Sequence, residues 1–362
     1  MVPNGWKINP LKNLVNFTNG KGHEKHISES GKYIVVNSKF ISSDGMVFKC
    51  SNESFCPAMK DDILMVMSDV PNGKAIAKCF LVDRNDTYSV NQRVARFRSK
   101  GSDPLFLFYS INRNSYYLEF DDGLKQTNLR KDDVLDCPIK TPPLPEQRKI
   151  AKILSTWDKA ISTTEKLIDA SQQQKKALMQ QLLTGKKRLV NPETGKAFEG
   201  DWAYSLFHEL YKVANKKDTQ VKSGDYLESG RTPIVDQGKS MIGGYTNNEL
   251  IYKDLPVIVF GDHTRVVKWV DFEFAQGADG TQVFKSNKLM DDKFAYYVLL
   301  NTDIPNLGYS RHMRELKERD FKYPKSKAEQ QKIASVLTAA DKEIELLQAK
   351  LAHLKDEKKA LM

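Results

Sequence analysis

Two stretches of the chain carry the same long apolar stripe. In residues 146–179 the apolar positions recur at alternating spacings of four and three, and residues 329–362 repeat this pattern in the same register. A shift of 183 positions aligns the two stretches without a gap, and 14 of 34 positions are identical. Such spacing is typical of the seam of a coiled coil, so each stretch is predicted to be a long helix.

One such stripe alone would be explained most simply by a surface helix that packs on a core. Two stripes in one register within a gapless repeat favour helices that pair antiparallel. The predicted seam of the first helix is Ile150, Leu154, Trp157, Ile161, Thr164, Ile168, Ser171, Lys175, Leu178 and Leu182. The predicted seam of the second helix is Ile333, Leu337, Ala340, Ile344, Leu347, Leu351, Leu354, Lys358 and Leu361.

The segments before each helix have the alternating short apolar runs of mixed α/β globules. Strands or short buried runs are predicted at 33–37, 62–67, 75–82, 94–98, 105–109, 256–260 and 266–274, and a helix at 293–301. The predicted fold class is α+β, with two mixed α/β globules, two long helices in an antiparallel coiled coil and a pseudo-twofold repeat. The predicted segments are 1–144 (globule), 145–185 (helix), 186–200 (linker), 201–325 (globule) and 326–362 (helix).

The net charge of +10 changes this picture little, because the basic excess is local. Residues 146–190 hold 10 Lys and Arg against 4 Asp and Glu, whereas the globules are nearly balanced. The four cysteines form no CxxC pair, which favours free buried thiols over zinc or disulfides. The absence of a long apolar run or leader makes the cytoplasm the expected compartment and excludes a membrane partner.

Motifs of catalysis are missing from the sequence. It contains no GxxxxGK[ST], GxGxxG or HExxH pattern, so nucleotide, dinucleotide and zinc-protease chemistry is not indicated. Asp303 with Glu315 and Lys317 resembles the spaced acids of a metal-dependent nuclease, but charged chains contain this loose pattern by chance. His263 has no evident nucleophile as a partner, so a polar loop that contacts a ligand is the favoured interpretation.

Polar and basic clusters lie on predicted turns in both globules. Arg, Asn and Gln read base edges bidentately, and Lys mainly contacts phosphates. The DNA-binding candidates are Lys39, Asn91, Gln92, Arg93, Arg113, Asn128 and Arg130 in the first globule, and Gln237, Lys239, Asn247, His263, Thr264, Arg265, Thr281, Gln282, Arg311 and His312 in the second. Each cluster alone would suit a solvated loop. Because such clusters recur in both globules, DNA binding gains modest support.

These features together resemble the specificity subunit of Type I restriction-modification enzymes. The resemblance lies in the helix entrances PPLPEQRKIAKIL and PKSKAEQQKIASVL, the exits QQQKKALMQQLLTGKKRL and KDEKKALM, and the stretches VPNGWKINPLKNL, IVDQGKSMIGGYTN, VIVFGDHTRVVKW and GADGTQVF. One departure is that the second helix stops at Met362, where the first repeat continues to Leu189. A short natural form and a truncated chain both remain open.

The resemblance implies a non-catalytic reader of double-stranded DNA. Each globule would be a target-recognition domain for one half of a split site, and the coiled coil would set the spacer. Two modification subunits would dock on the helices and supply S-adenosylmethionine-dependent methylation. Restriction subunits would supply ATP- and magnesium-dependent translocation and cleavage, and this chain would hold no cofactor. The alternatives are a coiled-coil scaffold without DNA specificity and a nuclease that uses Asp303 and Glu315.

The length of the helices predicts the scale of the spacer. A helix of about 38 residues, at roughly 1.5 Å per residue, spans about 57 Å. At roughly 3.4 Å per base pair this equals about 17 base pairs, and globules that reach inward would shorten it.

Overall fold

The same plan of strands and helices occurs twice in the chain. In the computed structural model the first unit consists of Met1–Ser162 with Leu354–Met362, and the second consists of Thr163–His353. The structure describes residues 3–71, 73–306, 308 and 311–361. Asn72, in a predicted turn, and Met362, at the predicted end of the second helix, lie outside these ranges.

The first unit contains twelve strands among its described residues. They are β1 (Lys7–Pro10), β2 (Val15–Asn19), β3 (Tyr33–Val36), β4 (Lys49–Ser51), β5 (Pro57–Ala58), β6 (Ile63–Val66), β7 (Ser68–Asp69), β8 (Cys79–Leu81), β9 (Tyr88–Val90), β10 (Val94–Ser99), β11 (Thr127–Asn128) and β12 (Pro138–Thr141). The helices are α1 (Leu11–Leu14), α2 (Ser38–Ser42), α3 (Pro104–Ile111), α4 (Ser115–Leu118) and α5 (Lys131–Leu135), with a 3-10 turn at Glu24–His26. The long helix α6 (Leu144–Leu182) begins in this unit and ends in the second.

The second unit repeats this order with fewer elements. Its strands are β13 (Trp202–Leu206), β14 (Tyr211–Val213), β15 (Gln220–Val221), β16 (Thr232–Val235), β17 (Gly244–Thr246), β18 (Val257–Gly261), β19 (Val267–Val270), β20 (Ala275–Gly277), β21 (Thr281–Ser286) and β22 (Asp320–Pro324). Its helices are α7 (Phe207–Leu210), α8 (Asp292–Asn301) and α9 (Met313–Lys317), with 3-10 turns at Lys217–Thr219 and Ser223–Asp225. The long helix α10 (Lys327–Leu361) starts here and its last turns belong to the first unit.

Matching sheets show that the two units share most of their topology, although one edge strand differs: β5 pairs antiparallel with β9, whereas β15 comes earlier in the chain order and pairs parallel with β20. An antiparallel sheet has the order β2-β10-β6-β8 in the first unit and β14-β21-β18-β19 in the second. A second sheet has the order β4-β3-β9-β5 in the first unit and β17-β16-β20-β15 in the second, and its central strands run parallel in both. A short antiparallel pair, β1 with β12 or β13 with β22, precedes each long helix. The expectation of mixed α/β globules is therefore confirmed.

One predicted run takes a different form. Residues 105–109 were expected to be a strand or a short buried run, but they lie in α3. Asp103 caps this helix by accepting from the Phe106 N–H at 2.9 Å, and Pro104 occupies its first turn. Cap and proline both favour a helix start, and they outweigh the β-like apolar composition.

A glutamine ties the first turn of each long helix to its globule. Gln147 donates to the Pro142 carbonyl at 2.9 Å and accepts from the Asp103 N–H at 2.9 Å. Gln330 donates to the Pro324 carbonyl at 2.8 Å and accepts from the Asp291 N–H at 2.6 Å. Both glutamines are buried and are repeat equivalents of each other. Asp103 and Asp291 cap α3 and α8, so each glutamine connects two helix starts.

A second link follows three turns later in each repeat. In the first unit the Tyr109 hydroxyl donates to Asp158 at 2.6 Å, and Lys358 pairs with the same carboxylate. Burial, followed by the contact with Asp158, raises the pKa of Tyr109. The tyrosine therefore stays a neutral donor, as this hydrogen bond requires.

The second unit makes the matching contact. Tyr297 donates to Asp341 at 2.7 Å, and Lys175 pairs with Asp341. The lysine also lies over the Tyr297 ring, at 5.8 Å from its centroid. Since Asp341 and Lys358 are the repeat equivalents of Asp158 and Lys175, each repeat supplies one charge to each unit.

The predicted seam residues lie on the less exposed face of their helices. Leu154, Thr164, Ile168, Leu182, Ile333, Leu337 and Ile344 are buried. Ile150, Trp157, Ile161, Ser171, Lys175, Leu178, Ala340, Leu347, Leu351, Leu354 and Lys358 are half-buried, and Leu361 is exposed. In the second unit, Lys175 meets Asp341 while Ser171 meets Glu343, which is an antiparallel order.

We predict that Gln330→Ala lowers the free energy of unfolding by about 1–3 kcal/mol. The change removes an acceptor from the Asp291 N–H and a donor from the Pro324 carbonyl, and both groups are left without that partner. Urea denaturation followed by tryptophan fluorescence measures the loss. Gln331→Ala, at the exposed neighbouring position, is the matched control and should change stability by less than about 0.5 kcal/mol. Equal effects of the two changes would contradict the role given to Gln330.

Candidate nucleic-acid interface

Three short segments, two of them containing the paired strands β7 and β11, meet at one end of the antiparallel sheet in the first unit. The Met67 N–H, just after β6, donates to the Arg93 carbonyl at 2.8 Å, and the Leu129 N–H donates to the Met67 carbonyl at 2.8 Å. These bonds bring the segments 67–68, 91–93 and 126–130 together. Since loops on a rigid sheet often carry binding residues, this end is a candidate contact surface.

The second unit forms the same junction at the matching strand ends. The Asp262 N–H, just after β18, donates to the Gly280 carbonyl at 2.7 Å, and the His312 N–H donates to the Asp262 carbonyl at 2.9 Å. Arg93 and Gly280 occupy equivalent places and both have positive φ, +67° and +62°. We call these two sets of loops, residues 67–68, 91–93 and 126–130 and residues 262–264, 279–280 and 311–312, the loop edges of the two units.

In the first loop edge, Asn91 and Gln92 are held by the neighbouring 3-10 turn. Gln92 donates to Glu24 at 2.8 Å and Asn91 donates to the same oxygen at 3.3 Å. A backbone hydrogen bond of Glu24, followed by the Asn91 amide, lowers the pKa of this carboxyl. The Asn91 side chain also accepts from the His23 N–H at 3.0 Å. Arg93 is exposed beside this fixed pair.

The other candidates of the first loop edge are exposed. Asn128 accepts from the Ser68 hydroxyl at 2.6 Å and from Gln126 at 3.0 Å, which orients its amide. Arg130 is exposed at the start of α5. Lys39 is exposed on α2, which follows β3. At the end of β3, the Val36 carbonyl accepts from the Asn91 N–H at 3.0 Å, which links this region to the loop edge.

In the second unit, the loop after β16 joins the loop edge. The His263 N–H donates to the Gln237 side-chain oxygen at 3.2 Å, and the Thr264 hydroxyl donates to the Gln237 carbonyl. Gln237, His263 and Arg311 line one cavity of about 500 Å³ with Tyr226, Asp236 and Asp279. Burial, then Asp236, raises the pKa of Tyr226 to about 12, so its hydroxyl stays neutral. Lys239 is exposed near this cavity's Gln237.

A second concave surface of the same unit adjoins Arg311. Arg311 and Gln282 line it together with Asp262, Met313 and Arg314. The Gln282 side chain accepts from the Asn215 amide at 2.8 Å, which fixes its orientation. The structure therefore brings Gln237, His263, Thr264, Gln282 and Arg311 into one region of the second unit.

Other candidates contact the protein itself. Arg113 donates to the Ile76 carbonyl at 3.2 Å, and Arg265 donates to the Ile304 carbonyl at 2.8 Å. Asn247 accepts from the Arg231 N–H at 3.0 Å. Thr281 and His312 are buried, and the His312 ring donates from Nδ1 to the Asp262 carbonyl at 2.7 Å. These bonds position the loops. Thr281 and His312 are buried, so they are not available to contact a ligand in this structure.

Sequence reasoning missed Lys268. Its ammonium is buried in β19 and donates to the Asp236 carbonyl at 2.8 Å and to the Ser240 carbonyl. Burial lowers the pKa of Lys268, and the nearby Asp236 carboxylate opposes this shift. Lys268 thereby holds the ends of the segment that carries Gln237 and Lys239. A lone lysine amid the apolar residues of a predicted strand was the available signal.

Neither a metal-binding cluster nor a membrane-spanning helix occurs in the described part of the chain. Among residues 3–71, 73–306, 308 and 311–361, no cluster of three or more His, Cys, Asp or Glu side chains is arranged to hold a metal ion. No helix in this described part is long and apolar enough to cross a membrane. The four cysteines are free thiols, and Cys56, Cys79 and Cys137 are buried.

The family of the chain follows from comparison with known sequences. The family model of the Type I restriction modification DNA specificity domain matches residues 3–170 and 199–356, one match for each repeat. The matches cover most of the chain, so this protein belongs to that family.

Two relatives of known class agree with this assignment, one along the whole chain and one along part of it. A candidate specificity subunit of the type I restriction enzyme MjaX from Methanocaldococcus jannaschii is 24% identical, with 100% of this chain and 92% of the relative aligned. The specificity subunit of the type I restriction enzyme EcoR124I/EcoR124II from Escherichia coli is 34% identical over 30% of this chain and 28% of its own length.

Solved structures show the same fold. The S subunit of a Type I restriction-modification system from M. genitalium matches with a TM-score of 0.68, at 16% identity, over 100% of this chain and 96% of that chain. A chain from a structural study of complex assembly and conformational transition in the type I R-M system matches with a TM-score of 0.55, at 16% identity, over 100% of this chain and 97% of that chain.

We predict opposite roles for two adjacent residues of the second loop edge. His312→Ala should lower the free energy of unfolding by about 1–3 kcal/mol, because the buried Asp262 carbonyl loses a ring donor. Arg311→Ala should change it by less than about 0.5 kcal/mol, because Arg311 is exposed. Chemical denaturation of both variants tests this. A stable His312→Ala variant with an unstable Arg311→Ala variant would reverse the assignment.

Proposed function

We propose that this chain is the DNA-specificity subunit of a Type I restriction-modification complex and that each loop edge reads one half of a two-part DNA site. The observation that supports this most strongly is the equivalence of the loop edges. Two copies of one junction, between matching strands, carry different side chains: Arg93 and Asn128 in one, His263 and Arg311 in the other. A shared scaffold with different reading groups is what an asymmetric site requires.

The side chains at the loop edges suit base contacts. Arginine pairs bidentately with guanine, and asparagine or glutamine with adenine, and each good pair discriminates by about 1–3 kcal/mol. Gln237 and Asn128 are already oriented by hydrogen bonds within the protein, so less entropy is lost when they bind. Lys39 and Lys239 are exposed near the same edges and suit phosphate contacts, which position the protein without reading sequence.

The two long helices are proposed to form one antiparallel coiled coil with pseudo-twofold symmetry that sets the spacer. Support comes from the ion pairs Asp158–Lys358 in the first unit and Lys175–Asp341 in the second, which obey one antiparallel register. Two modification subunits are proposed to dock on these helices. Those subunits would bring S-adenosylmethionine, and restriction subunits would bring ATP and magnesium.

We predict that exchange of one globule changes one half of the recognised site. Residues 1–144 are replaced by the corresponding segment of a family member of different specificity, and the subunit is expressed with its modification subunits. Methylome sequencing should show a new half-site in place of one original half, with the other half kept. Exchange of residues 201–325 is the matched control and should alter the opposite half. A change in both halves, or in neither, would contradict separate reading.

Lengthening both helices together should lengthen the spacer. Seven residues inserted after Ser162 and seven after His353 preserve the heptad seam, since these points lie opposite each other in the register of the ion pairs. The added length is about 10 Å, which equals about three base pairs at roughly 3.4 Å each. Methylome sequencing should find both half-sites unchanged and the spacer longer. Retained methylation with an unchanged spacer would mean that the helices do not set the distance.

A further inference from the structure

The two units carry exposed apolar side chains at the same place in their folds. β3 continues into β4 through residues 37–48, and β16 continues into β17 through residues 236–243. We call these two segments the connections. Both strand pairs are antiparallel, and in both the last residue but one of the first strand lies opposite the first residue of the second strand. The two connections therefore end at equivalent positions.

A methionine and a β-branched residue lie at the end of each connection. Met46 and Val47 lie three and two residues before β4. Met241 and Ile242 lie three and two residues before β17. Met46 is 84% exposed, and the other three residues are between 38% and 48% exposed. Single exposed apolar residues are common on protein surfaces, but an adjacent pair that recurs at equivalent positions indicates a contact surface. We call these two pairs the apolar tips.

A lysine from the adjacent antiparallel sheet holds each connection in place. Lys78, just before β8, donates to the Ser42 carbonyl at 3.3 Å and pairs with Asp44 at 2.8 Å. Lys268, in β19, donates to the Asp236 carbonyl at 2.8 Å and lies 3.6 Å from the carboxylate of the same residue. β8 and β19 are the same edge strand of matching sheets. The apolar tips are therefore carried by backbone that is fixed in the same way in both units.

Each connection begins beside the loop edge of its unit. In the first unit the Val36 carbonyl, directly before the connection, accepts from the Asn91 N–H at 3.0 Å. In the second unit Gln237 lies within the connection and accepts from the His263 N–H at 3.2 Å and from the Thr264 hydroxyl. The apolar tips thus extend the surface that is proposed to read DNA.

Hydrogen bonds also join the end of the first connection to its loop edge. The Lys78 N–H donates to the Ala75 carbonyl at 2.9 Å, and the Ala75 N–H donates to the Asp69 carboxylate at 2.6 Å. Asp69 lies in β7 opposite Thr127 of β11, within the loop edge. The lysine that holds this connection is therefore only two residues away from the loop edge along these bonds.

The charges of the connections favour a negatively charged partner. Each connection contains one acidic and one basic residue. The acidic residue, Asp44 or Asp236, lies close to the lysine that holds the connection. The basic residue, Lys39 or Lys239, is exposed. Since the acidic charge is balanced by a lysine from outside the connection, the exposed lysine gives this surface a positive charge that suits DNA phosphates.

We propose that the apolar tips contact the 5-methyl groups of thymines in each half-site or directly beside it. The thymine methyl group is the apolar group that base edges present in the major groove, where arginine, asparagine and glutamine read their bases. Methionine and β-branched side chains exclude water from that methyl group and require no hydrogen bond. The inference rests on the proposed reading of DNA at the loop edges.

Duplexes that lack thymine methyl groups test the proposal. The chain is assembled with its modification subunits, and methylome sequencing identifies the recognised site and the half that depends on residues 1–144. Deoxyuridine then replaces every thymidine of that half-site and of about three base pairs on either side, a change that removes only methyl groups. Fluorescence anisotropy should show binding about three- to four-fold weaker for each methyl group that loses its contact.

Variants of the tips assign the effect to these residues. Met46→Ser with Val47→Ser should bind the thymidine duplex more weakly and should bind the thymidine and deoxyuridine duplexes equally. Because both side chains are exposed, this variant is expected to fold. Met59→Ser is the matched control, since Met59 is also exposed but precedes β6, whose other end carries the loop edge. It should keep the full effect of deoxyuridine. Met241→Ser with Ile242→Ser should abolish the effect of deoxyuridine in the opposite half only.

Three results would overturn the inference while leaving the proposed function intact. The first is specific binding that deoxyuridine does not weaken, and the second is a tip variant that keeps the full effect of deoxyuridine. The third is a tip variant that no longer assembles with the modification subunits, which would place a protein partner on the tips. A complex that methylates no specific site would instead contradict the proposed function itself.

Discussion

Each long helix is connected to a globule through one buried glutamine, and the arrangement of the rest of the unit depends on this connection. Gln147 and Gln330 satisfy the N–H of a helix-capping aspartate and the carbonyl of the last strand at the same time. The amide side chain has both a donor and an acceptor, so one residue fixes the angle between the long helix, the capped helix and the strand pair. Loss of either bond would leave a buried backbone group unsatisfied.

The tyrosine and aspartate contacts extend that connection along the helix. Tyr109 with Asp158, and Tyr297 with Asp341, anchor the helix to the globule, and the lysines on the same carboxylates come from the other repeat. These carboxylates are only half-buried, so each ion pair contributes modestly to stability and mainly specifies the register.

The loop edges show how far the candidate site could be predicted. The sequence placed Asn91, Gln92, Asn128, Gln237, His263 and Arg311 among the polar clusters, and the structure places them at or beside the two loop edges. The sequence could not distinguish the role of Arg311 from that of the adjacent His312, because arginine and histidine are both residue types that can contact DNA. Only the fold puts the His312 ring under the Asp262 carbonyl. Burial is a property of the surroundings, and these come from segments distant in the chain.

The sequence by itself determined the long helices, the internal repeat and the mixed α/β character of the globules, because periodicity and proline positions act over a few neighbouring residues. Tertiary structure decided that residues 105–109 form a helix, that Lys268 holds the segment with Gln237, and that Glu329 is buried with Arg188 while Glu146 is exposed. Identical repeat residues thus have different surroundings. The physical reason is that the burial of a side chain and its hydrogen-bond or ion-pair partners depend on groups that folding brings together from distant parts of the chain. A local sequence pattern does not contain that information.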